Sequence, residues 1–411
     1  MDFGRHHVFT MSAYDERSDG PVTAIGAWQQ ELEAFRRDLH AHPELGFEET
    51  RTADLVARKL AALGIEVHRG FARTGVVGVI PGRQQSSGRA IGLRADLDCL
   101  PIAENGTVPW RSVHAGRMHA CGHDGHTTML LACARYLAGT RRFDGTAYVF
   151  FQPAEEAGGG GRVMVEEGLF ERFPADEVYA LHNWPALPAG KLAVRAGPVM
   201  AATDEFQITV RGRGGHAAMP HLAIDPVLAS AHLITALQSI ASRGVSPVDS
   251  VVVSVCSMQT SQLSASNIIP DSVRLVGTLR SFRPETREFA IGRIEEIARS
   301  VAGAFGADAE FILHPGYPAT INSRAQSEFA ARVAAKVFGE QNVITDAEPT
   351  MGGEDFSYML QARPGAYAWL GQGGGPSGCF LHNPGYDFND AILPLGAGFL
   401  AALVEEGLPL A

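Results

Sequence analysis

The chain has 411 residues, a formal net charge of −11 and a hydrophobic fraction of 45%. At about 150 residues per domain, this length predicts two domains with separate hydrophobic cores. Because there is no block of Lys and Arg and no run of about 18 apolar residues, neither a nucleic-acid groove nor a membrane span is expected. Residues 1–20 lack the apolar core of a signal peptide and are expected to form a disordered tail.

The cysteines predict a reducing compartment. Their number is odd and they are scattered through a large chain, at Cys99, Cys121, Cys133, Cys256 and Cys379. This distribution favours free thiols and a cytoplasmic location over a disulfide framework.

The first half of the chain alternates between patterns of helical and of strand-like spacing. Helices are predicted at 25–39, 52–63, 125–138 and 161–168, and strands at 75–80, 90–96, 146–152 and 176–183. Strands that alternate with helices predict an α/β fold with a mixed, mainly parallel sheet. From about residue 320 this style returns, and it ends in a helix near the C-terminus.

The pattern changes near residue 200, where residues 205–212 alternate between apolar and polar. The elements that follow are a helix from Asp225, strands at 248–258 and 272–282, a helix from Pro284 and a strand at 309–314. This β-α-β-β-α-β order predicts a ferredoxin-like α+β domain. We expect it to span 200–314, inserted into a larger domain formed by 21–199 and 315–411.

The hexapeptide CGHDGH, residues 121–126, is the densest group of side chains that bind metals. Cys121 and His123 offer a thiolate and an imidazole, and Gly122 and Gly125 let the backbone turn so that neighbouring side chains converge. A histidine at the start of a helix can also act simply as its cap, and this alternative stays open.

Two adjacent carboxylates, Glu155 and Glu156, follow the strand at 146–152. Neighbouring residues of an extended chain point to opposite sides, so one carboxylate could bind metal while the other handles a proton. The alternative is an acidic start to the next helix, which the helix dipole favours.

His182 and His382 each follow apolar residues and precede a proline, as expected at a strand end. A lone histidine of this kind is more often a satisfied core residue than a ligand. Four such groups at strand ends are harder to dismiss, because ligands of open α/β sheets bind beyond the carboxyl ends of strands. Together they offer five ligands, which suits a pair of metal ions: Cys121, His123, Glu156, His182 and His382.

The order of motifs resembles the zinc aminoacylase and carboxypeptidase family. The motifs include RRDLHAHPELGFEE, GLRADLDCLP, MHACGHDGH, FQPAEE, GRGGHAAMPH, MGGEDFSY and LHNPGYDFND, and they cover nearly the whole chain. The nearest branch is similar to the amidohydrolases that act on hippurate, indoleacetyl-amino acids and other N-acyl amino acids. The resemblance implies a two-metal catalytic domain and an inserted lid or dimerisation domain.

The resemblance also implies residue roles in the catalytic domain. The five residues above would be the metal ligands, with Cys121 bridging two divalent ions of Zn, Mn, Co or Ni. Other branches have a histidine where this chain has Arg94, so His123 would be the replacement ligand. Glu155 would be the general base for a metal-bound hydroxide and would then protonate the leaving amine. Asp96 would orient a ligand histidine from outside the ligand set.

The inserted domain would contribute substrate contacts. By the resemblance, His216 stabilises the oxyanion, often from the other subunit of a homodimer, while Asn267 and Arg280 hold the substrate carboxylate. Without the resemblance, His216 would be interpreted as a loop histidine and Arg280 as a surface charge.

Other functions fit the sequence less well. The chain has no GxSxG elbow of a serine hydrolase and no GxxxxGKS loop of a nucleotide-binding enzyme. A metallo-carboxypeptidase or dipeptidase on short peptides remains an alternative, as does a catalytically silent metal-binding member of the fold. The presence of Glu155 beside all five ligands argues against the silent protein. The expected partner is therefore a small N-acyl amino acid, with no nucleic acid and no membrane.

Overall fold

A computed structural model of the chain describes residues 20–262, 265–374 and 378–411. The predicted tail lies outside these ranges except for Gly20, which begins the first helix. The α-helices are α1 (Gly20–Gly26), α2 (Gln29–Ala41), α3 (Thr50–Ala62), α4 (His123–Thr140), α5 (Gly160–Glu166), α6 (Leu169–Arg172), α7 (Pro226–Leu237), α8 (Pro284–Ala304), α9 (Arg324–Phe338), α10 (Ser357–Ala362) and α11 (Leu393–Gly407).

The strands complete the secondary structure. They are β1 (Glu66–Phe71), β2 (Gly75–Pro81), β3 (Ala90–Asp96), β4 (Thr146–Gln152), β5 (Glu177–Trp184), β6 (Leu192–Ala193), β7 (Gly197–Met200), β8 (Ala202–Arg211), β9 (Gly215–His216), β10 (Val251–Thr260), β11 (Ile268–Ile269), β12 (Ser272–Ser281), β13 (Asp308–Pro315), β14 (Thr320–Asn322), β15 (Val343–Ile344) and β16 (Gly365–Gly371). Across the described ranges, no helix is both long enough and apolar enough to cross a membrane.

The chain divides into two compact units. The larger comprises the described residues up to Gly197 together with Ile321–Glu348 and Asp355–Ala411, and the smaller comprises Pro198–Thr320 and Pro349–Glu354. The short return segment was not anticipated in the smaller unit. It belongs there because Thr350 N donates to Val199 O at 3.0 Å and Ala201 N donates to Gly352 O at 2.9 Å.

An eight-stranded mixed sheet is the centre of the larger unit, in the order β1-β2-β4-β3-β5-β16-β6-β15. β3 runs parallel to both β4 and β5, and β16 runs parallel to β5, whereas β1 and β2 form an antiparallel edge. α4 is buried along most of its length and shares one hydrophobic core with α2, α3, α11 and the sheet. The predicted α/β class with a mainly parallel sheet is confirmed.

The smaller unit contains a four-stranded antiparallel sheet in the order β10-β12-β8-β13. Alternate residues of β8, Phe206, Ile208 and Val210, are fully buried and pack in one core with residues of α7 and α8. This order of strands and helices is ferredoxin-like, as predicted from the β-α-β-β-α-β pattern.

A buried arginine fixes the first turn of α4 in the larger unit. The side chain of Arg36, on α2, is fully buried and forms ion pairs with Asp390 at 2.6 Å, Asp387 at 2.9 Å and Asp124 at 3.4 Å. Asp124 also accepts a hydrogen bond from Nδ1 of the buried His40 at 2.8 Å. Since Asp124 directly follows His123, this network holds the start of α4 in place.

We expect Arg36→Met to destabilise the fold strongly. Removing the guanidinium leaves buried carboxylates without their partner, which typically costs about 3–5 kcal/mol in the free energy of unfolding. Arg37→Met is the matched control, because Arg37 pairs with the same Asp390 at 2.8 Å but is 34% exposed. The control is expected to cost at most about 1 kcal/mol. Urea unfolding followed by circular dichroism measures both, and equal midpoints for the two variants would contradict the assignment.

Candidate metal centre

The predicted metal-binding segments meet at one place in the larger unit, but not all of them lie at strand ends. His182 is near the end of β5, and Glu155 and Glu156 lie in a turn shortly after β4. Cys121 and His123 instead lie at the start of α4, and His382 lies in a loop between β16 and α11. The expectation of four strand ends is therefore wrong for two of the segments.

Glycine shapes the start of α4. Gly122 has a φ of 97°, and a Cβ there would lie 2.4 Å from Oδ1 of Asn183. Gly125 lies within the helix, and a Cβ there would lie 2.2 Å from the ring of Phe388. Only glycine allows both the turn and the close packing, so Cys121 and His123 are brought inward together.

All five predicted ligands come together. Sγ of Cys121 lies 3.4 Å from Nε2 of His182, and Nε2 of His382 lies 3.2 Å from Oε1 of Glu156. Nε2 of His123 lies 3.9 Å from the same oxygen of Glu156. Of the groups of three donors that converge within 4.8 Å, two consist of predicted ligands alone, namely Cys121, His123 and His182, and Cys121, Glu156 and His382. Cys121 belongs to both groups, as expected of a bridging ligand.

His182 is held in the tautomer that a metal ligand needs. Its Nδ1 lies 2.7 Å from the backbone oxygen of Asn183. A carbonyl oxygen can only accept, so Nδ1 carries the proton and the lone pair of Nε2 faces Cys121. Burial, followed by the nearby His126, holds the pKa of His182 well below its usual value, so the ring is neutral.

His123 faces a carboxylate on each side of its ring. Nδ1 lies at ion-pair distance, 3.3 Å, from Oδ1 of Asp98, and within the described part of the chain neither ring nitrogen has a hydrogen-bond partner. Burial opposes its protonation, but Asp96 and Asp98 raise the pKa of His123 to about 10. A cation beside Nε2 would displace that proton. A buried imidazole without hydrogen-bond partners fits a metal ligand better than a helix cap.

The thiol of Cys121 is also suited to cations. Burial and the carboxylates of Glu156 and Glu155 raise the pKa of Cys121 well above its usual value. Glu156 itself is held ionised: burial opposes ionisation, but His382 and His123 lower its pKa. A thiolate next to these carboxylates requires compensating positive charge, so the donor set fits two divalent cations.

Asp96 lies beside the cluster, but the histidine to which it hydrogen-bonds, His126, is not one of the predicted ligands. Its Oδ1 accepts from Nδ1 of His126 at 2.6 Å, and its Oδ2 pairs with Nη1 of Arg94 at 2.7 Å. Its distance to Nε2 of His123 is 3.8 Å. The carboxylate that pairs with Nδ1 of His123 belongs to Asp98, which the sequence analysis did not select. The spacing of Asp96 and Asp98 by two residues was a signal that could have suggested it.

Glu155 and Glu156 occupy a turn, so the expectation that they point to opposite sides of an extended chain is wrong. Oε2 of Glu155 lies 4.0 Å from Nε2 of His123, and Oε1 of Glu156 lies 3.9 Å from it. The carboxylate of Asp98 accepts the backbone N–H groups of both residues, each at 3.0 Å. Both side chains therefore face the same cluster, and Glu155 is buried there.

His216, Asn267 and Arg280 lie in the smaller unit. His216 and Asn267 are both exposed, and they are neighbours because β9 pairs with β11 and Ala217 N donates to Asn267 O at 3.0 Å. Arg280 is half-buried on β12, where its Nε donates to Oγ1 of Thr278 at 2.9 Å. Their roles toward a substrate stay predictions.

Comparison with known proteins identifies the family to which this chain is similar. The family model for peptidase family M20/M25/M40 matches residues 92–406. Hippurate hydrolase of Campylobacter jejuni is 42% identical over 380 residues, which cover 92% of this chain and 97% of that protein. The IAA-amino acid hydrolase ILR1-like 5 of Arabidopsis thaliana is 38% identical over 385 residues, covering 91% and 86%.

A solved structure agrees with the match. The structure of a Bacillus subtilis protein, described as a dinuclear metal binding peptidase from the M20 family, has a TM-score of 0.81 and 33% identity. The similarity covers 93% of this chain and 99% of that one. The family that the motifs suggested is confirmed: the chain belongs to peptidase family M20/M25/M40.

Proposed function

We propose that the chain is a metal-dependent amidohydrolase that cleaves the amide bond of N-acyl amino acids. The observation that carries the proposal is the pair of donor groups that share Cys121, with Glu155 buried beside them. Support for the substrate class comes from the two relatives, one a hippurate hydrolase and the other an IAA-amino acid hydrolase. Hippurate and such conjugates both contain an acyl group joined to an amino acid.

The five ligands would hold two divalent ions, which would supply Lewis acidity that polarises the scissile carbonyl and acidifies water. Glu155 would accept a proton from the attacking water, since its Oε2 lies 4.0 Å from Nε2 of His123, one of the proposed ligands. The water oxygen joins the carbonyl carbon, the C–N bond breaks, and Glu155 passes the proton to the departing nitrogen. Asp98 keeps Glu155 in place through the backbone N–H.

Three residues of the smaller unit, His216, Asn267 and Arg280, would contribute contacts to the substrate. Ala218 N donates to Nδ1 of His216 at 3.1 Å, so the ring proton sits on Nε2, where it can donate to an oxyanion. Arg280 and Asn267 would bind the carboxylate of the amino acid. We assign to this unit a lid or dimerisation role, with the enzyme working as a homodimer.

Further details of the proposal follow from the ligand chemistry. A thiolate, imidazoles and a carboxylate suit Zn, Mn, Co or Ni, and metal availability decides among them. Cys99, Cys121, Cys133 and Cys256 have free thiols. A catalytic thiol shared by two ions requires a reducing environment, so we assign the enzyme to the cytoplasm.

We expect Glu155→Gln to keep both metal ions and to lose turnover. Loss of a general base typically lowers kcat by about 10²–10⁴-fold. Glu156→Gln is the matched neighbour: it should lose metal, because it removes a ligand oxygen rather than the base. Metal content by mass spectrometry and hydrolysis of hippurate, N-acetyl-methionine and a dipeptide panel measure these effects. A Glu155→Gln enzyme that is as fast as the parent would refute the mechanism.

We expect hydrogen peroxide and a chelator each to inactivate the enzyme, with added metal restoring only the chelated sample. Peroxide would convert the Cys121 thiolate to sulfenic acid and release hydroxide, which removes the shared ligand. Cys121→Asp should retain metal and resist peroxide, whereas Cys256→Ser, which changes an exposed thiol, should stay sensitive. The assay is residual hippurate hydrolysis after timed treatment. Equal sensitivity of the two variants would exclude Cys121 as the oxidised ligand.

A further inference from the structure

Glu49 is a buried carboxylate that does not cap the helix at whose start it lies. It occupies the N-cap position of α3, where a side chain usually accepts a backbone N–H of the first turn, but it makes no such bond. Glu44 takes over that task, accepting from Arg51 N at 2.9 Å and Thr52 N at 2.8 Å. The carboxylate of Glu49, whose residue has no solvent exposure, is thus available to another segment.

That segment is the turn that carries the proposed base. Oε1 of Glu49 accepts the backbone N–H of Ala154 at 2.8 Å, and its Oε2 accepts the hydroxyl of Thr74 at 2.6 Å. Ala154 directly precedes Glu155. Asp98 accepts the next two N–H groups, so three successive amides of the turn donate to carboxylates outside it.

Ala154 needs such support because of its backbone conformation. Its φ is 52°, in the left-handed region that a residue with a Cβ adopts only where its surroundings enforce it. Both backbone polar groups of Ala154 are hydrogen-bonded. Its N–H donates to Glu49, and its carbonyl oxygen accepts from Gly160 N at 3.1 Å. A rotation at Ala154 would redirect the side chain of Glu155 first, because the carboxylate of Glu156 is also held by Nε2 of His382 at 3.2 Å.

Close packing locks the same two segments together. A Cβ on Gly46 would lie 3.0 Å from Cα of Ala154, and a Cβ on Gly158 would lie 2.4 Å from the ring of Phe47. Residues 46–49 therefore contact the turn at both ends. We refer to residues 46–49 as the latch.

We infer that Glu49 is a positioning residue for Glu155: through Ala154 N it sets the direction of the base toward the cluster. This inference rests on the proposed role of Glu155. It predicts that a change at Glu49 lowers kcat with little effect on KM or on metal content, since no ligand and no substrate contact is removed. It also predicts looser backbone over Ala154–Gly160, which is independent of any activity.

The test compares two carboxylates of one segment. Glu49→Leu removes both acceptors, Glu49→Gln retains an oxygen for Ala154 N, and Thr74→Val removes only the hydroxyl. Glu44→Leu is the matched control, because Glu44 also accepts two backbone N–H groups but on α3 itself. Each full-length variant is loaded with metal and measured for metal content, melting temperature, kcat and KM on hippurate, and hydrogen–deuterium exchange.

We expect Glu49→Leu to lower kcat by about 10–100-fold, because a misplacement near 1 Å has an effect of this size. Exchange should speed up over Ala154–Gly160, and Glu49→Gln should restore most of both. Glu44→Leu should lower the melting temperature and speed exchange at the start of α3, with kcat unchanged. If Glu49→Leu does not fold, Thr74→Val should show the same changes in weaker form.

Two results would overturn the inference: unchanged exchange over the turn in Glu49→Leu, or faster exchange without a kcat loss beyond that of Glu44→Leu. The proposed function fails separately, if the parent enzyme with two metal ions hydrolyses no amide of the panel. In that case the exchange data still decide whether the latch holds the turn.

Discussion

Negative charge buried beside the large sheet is the constraint on which the centre depends. The carboxylates of Asp96, Asp98, Glu155 and Glu156 each lie within 4.0 Å of a ring nitrogen of His123. Two such charges 4 Å apart repel by about 4 kcal/mol at an effective dielectric constant of 20. Arg94 and a protonated His123 offset part of this repulsion, and bound divalent cations would offset the rest. The free energy of metal binding therefore contributes directly to the stability of this region.

Carboxylates outside the ligand set hold the segments that carry the ligands. Asp124 joins α4 to Arg36 and His40, while Asp98 and Glu49 accept the amides of the turn after β4. His382 is joined to the same region by its own backbone, since its N–H donates to Ala120 O at 2.8 Å. Ligands from distant parts of the sequence are thus fixed mainly through hydrogen bonds to backbone and to buried ions, which are directional in a way that apolar packing is not.

The periodic patterns predicted most of the elements near the centre, and long-range contacts explain the rest. β16 was not predicted, because GAYAWLG is an apolar run that suits a buried helix segment as well as a strand until β5 is known to pair with it. The metal-binding residue types were readable as clusters in the sequence. The hydrogen bonds that Asp98 and Glu49 accept from the turn after β4 were not readable, because the partners of a carboxylate are known only when that turn is in place.

The two donor groups differ in their access to water, so the centre has one buried side and one side open to solvent. Cys121, His123 and His182 are all buried, whereas the side chain of His382, in the other group, is 52% exposed. His382 also adopts a φ of 63°, a left-handed conformation held by its bond to Ala120 O. An amide bond has to approach from the exposed side. Glu155 is buried beside His123 and Glu156, one member of each group. Its proposed proton transfer would therefore take place where bulk water does not compete for the proton.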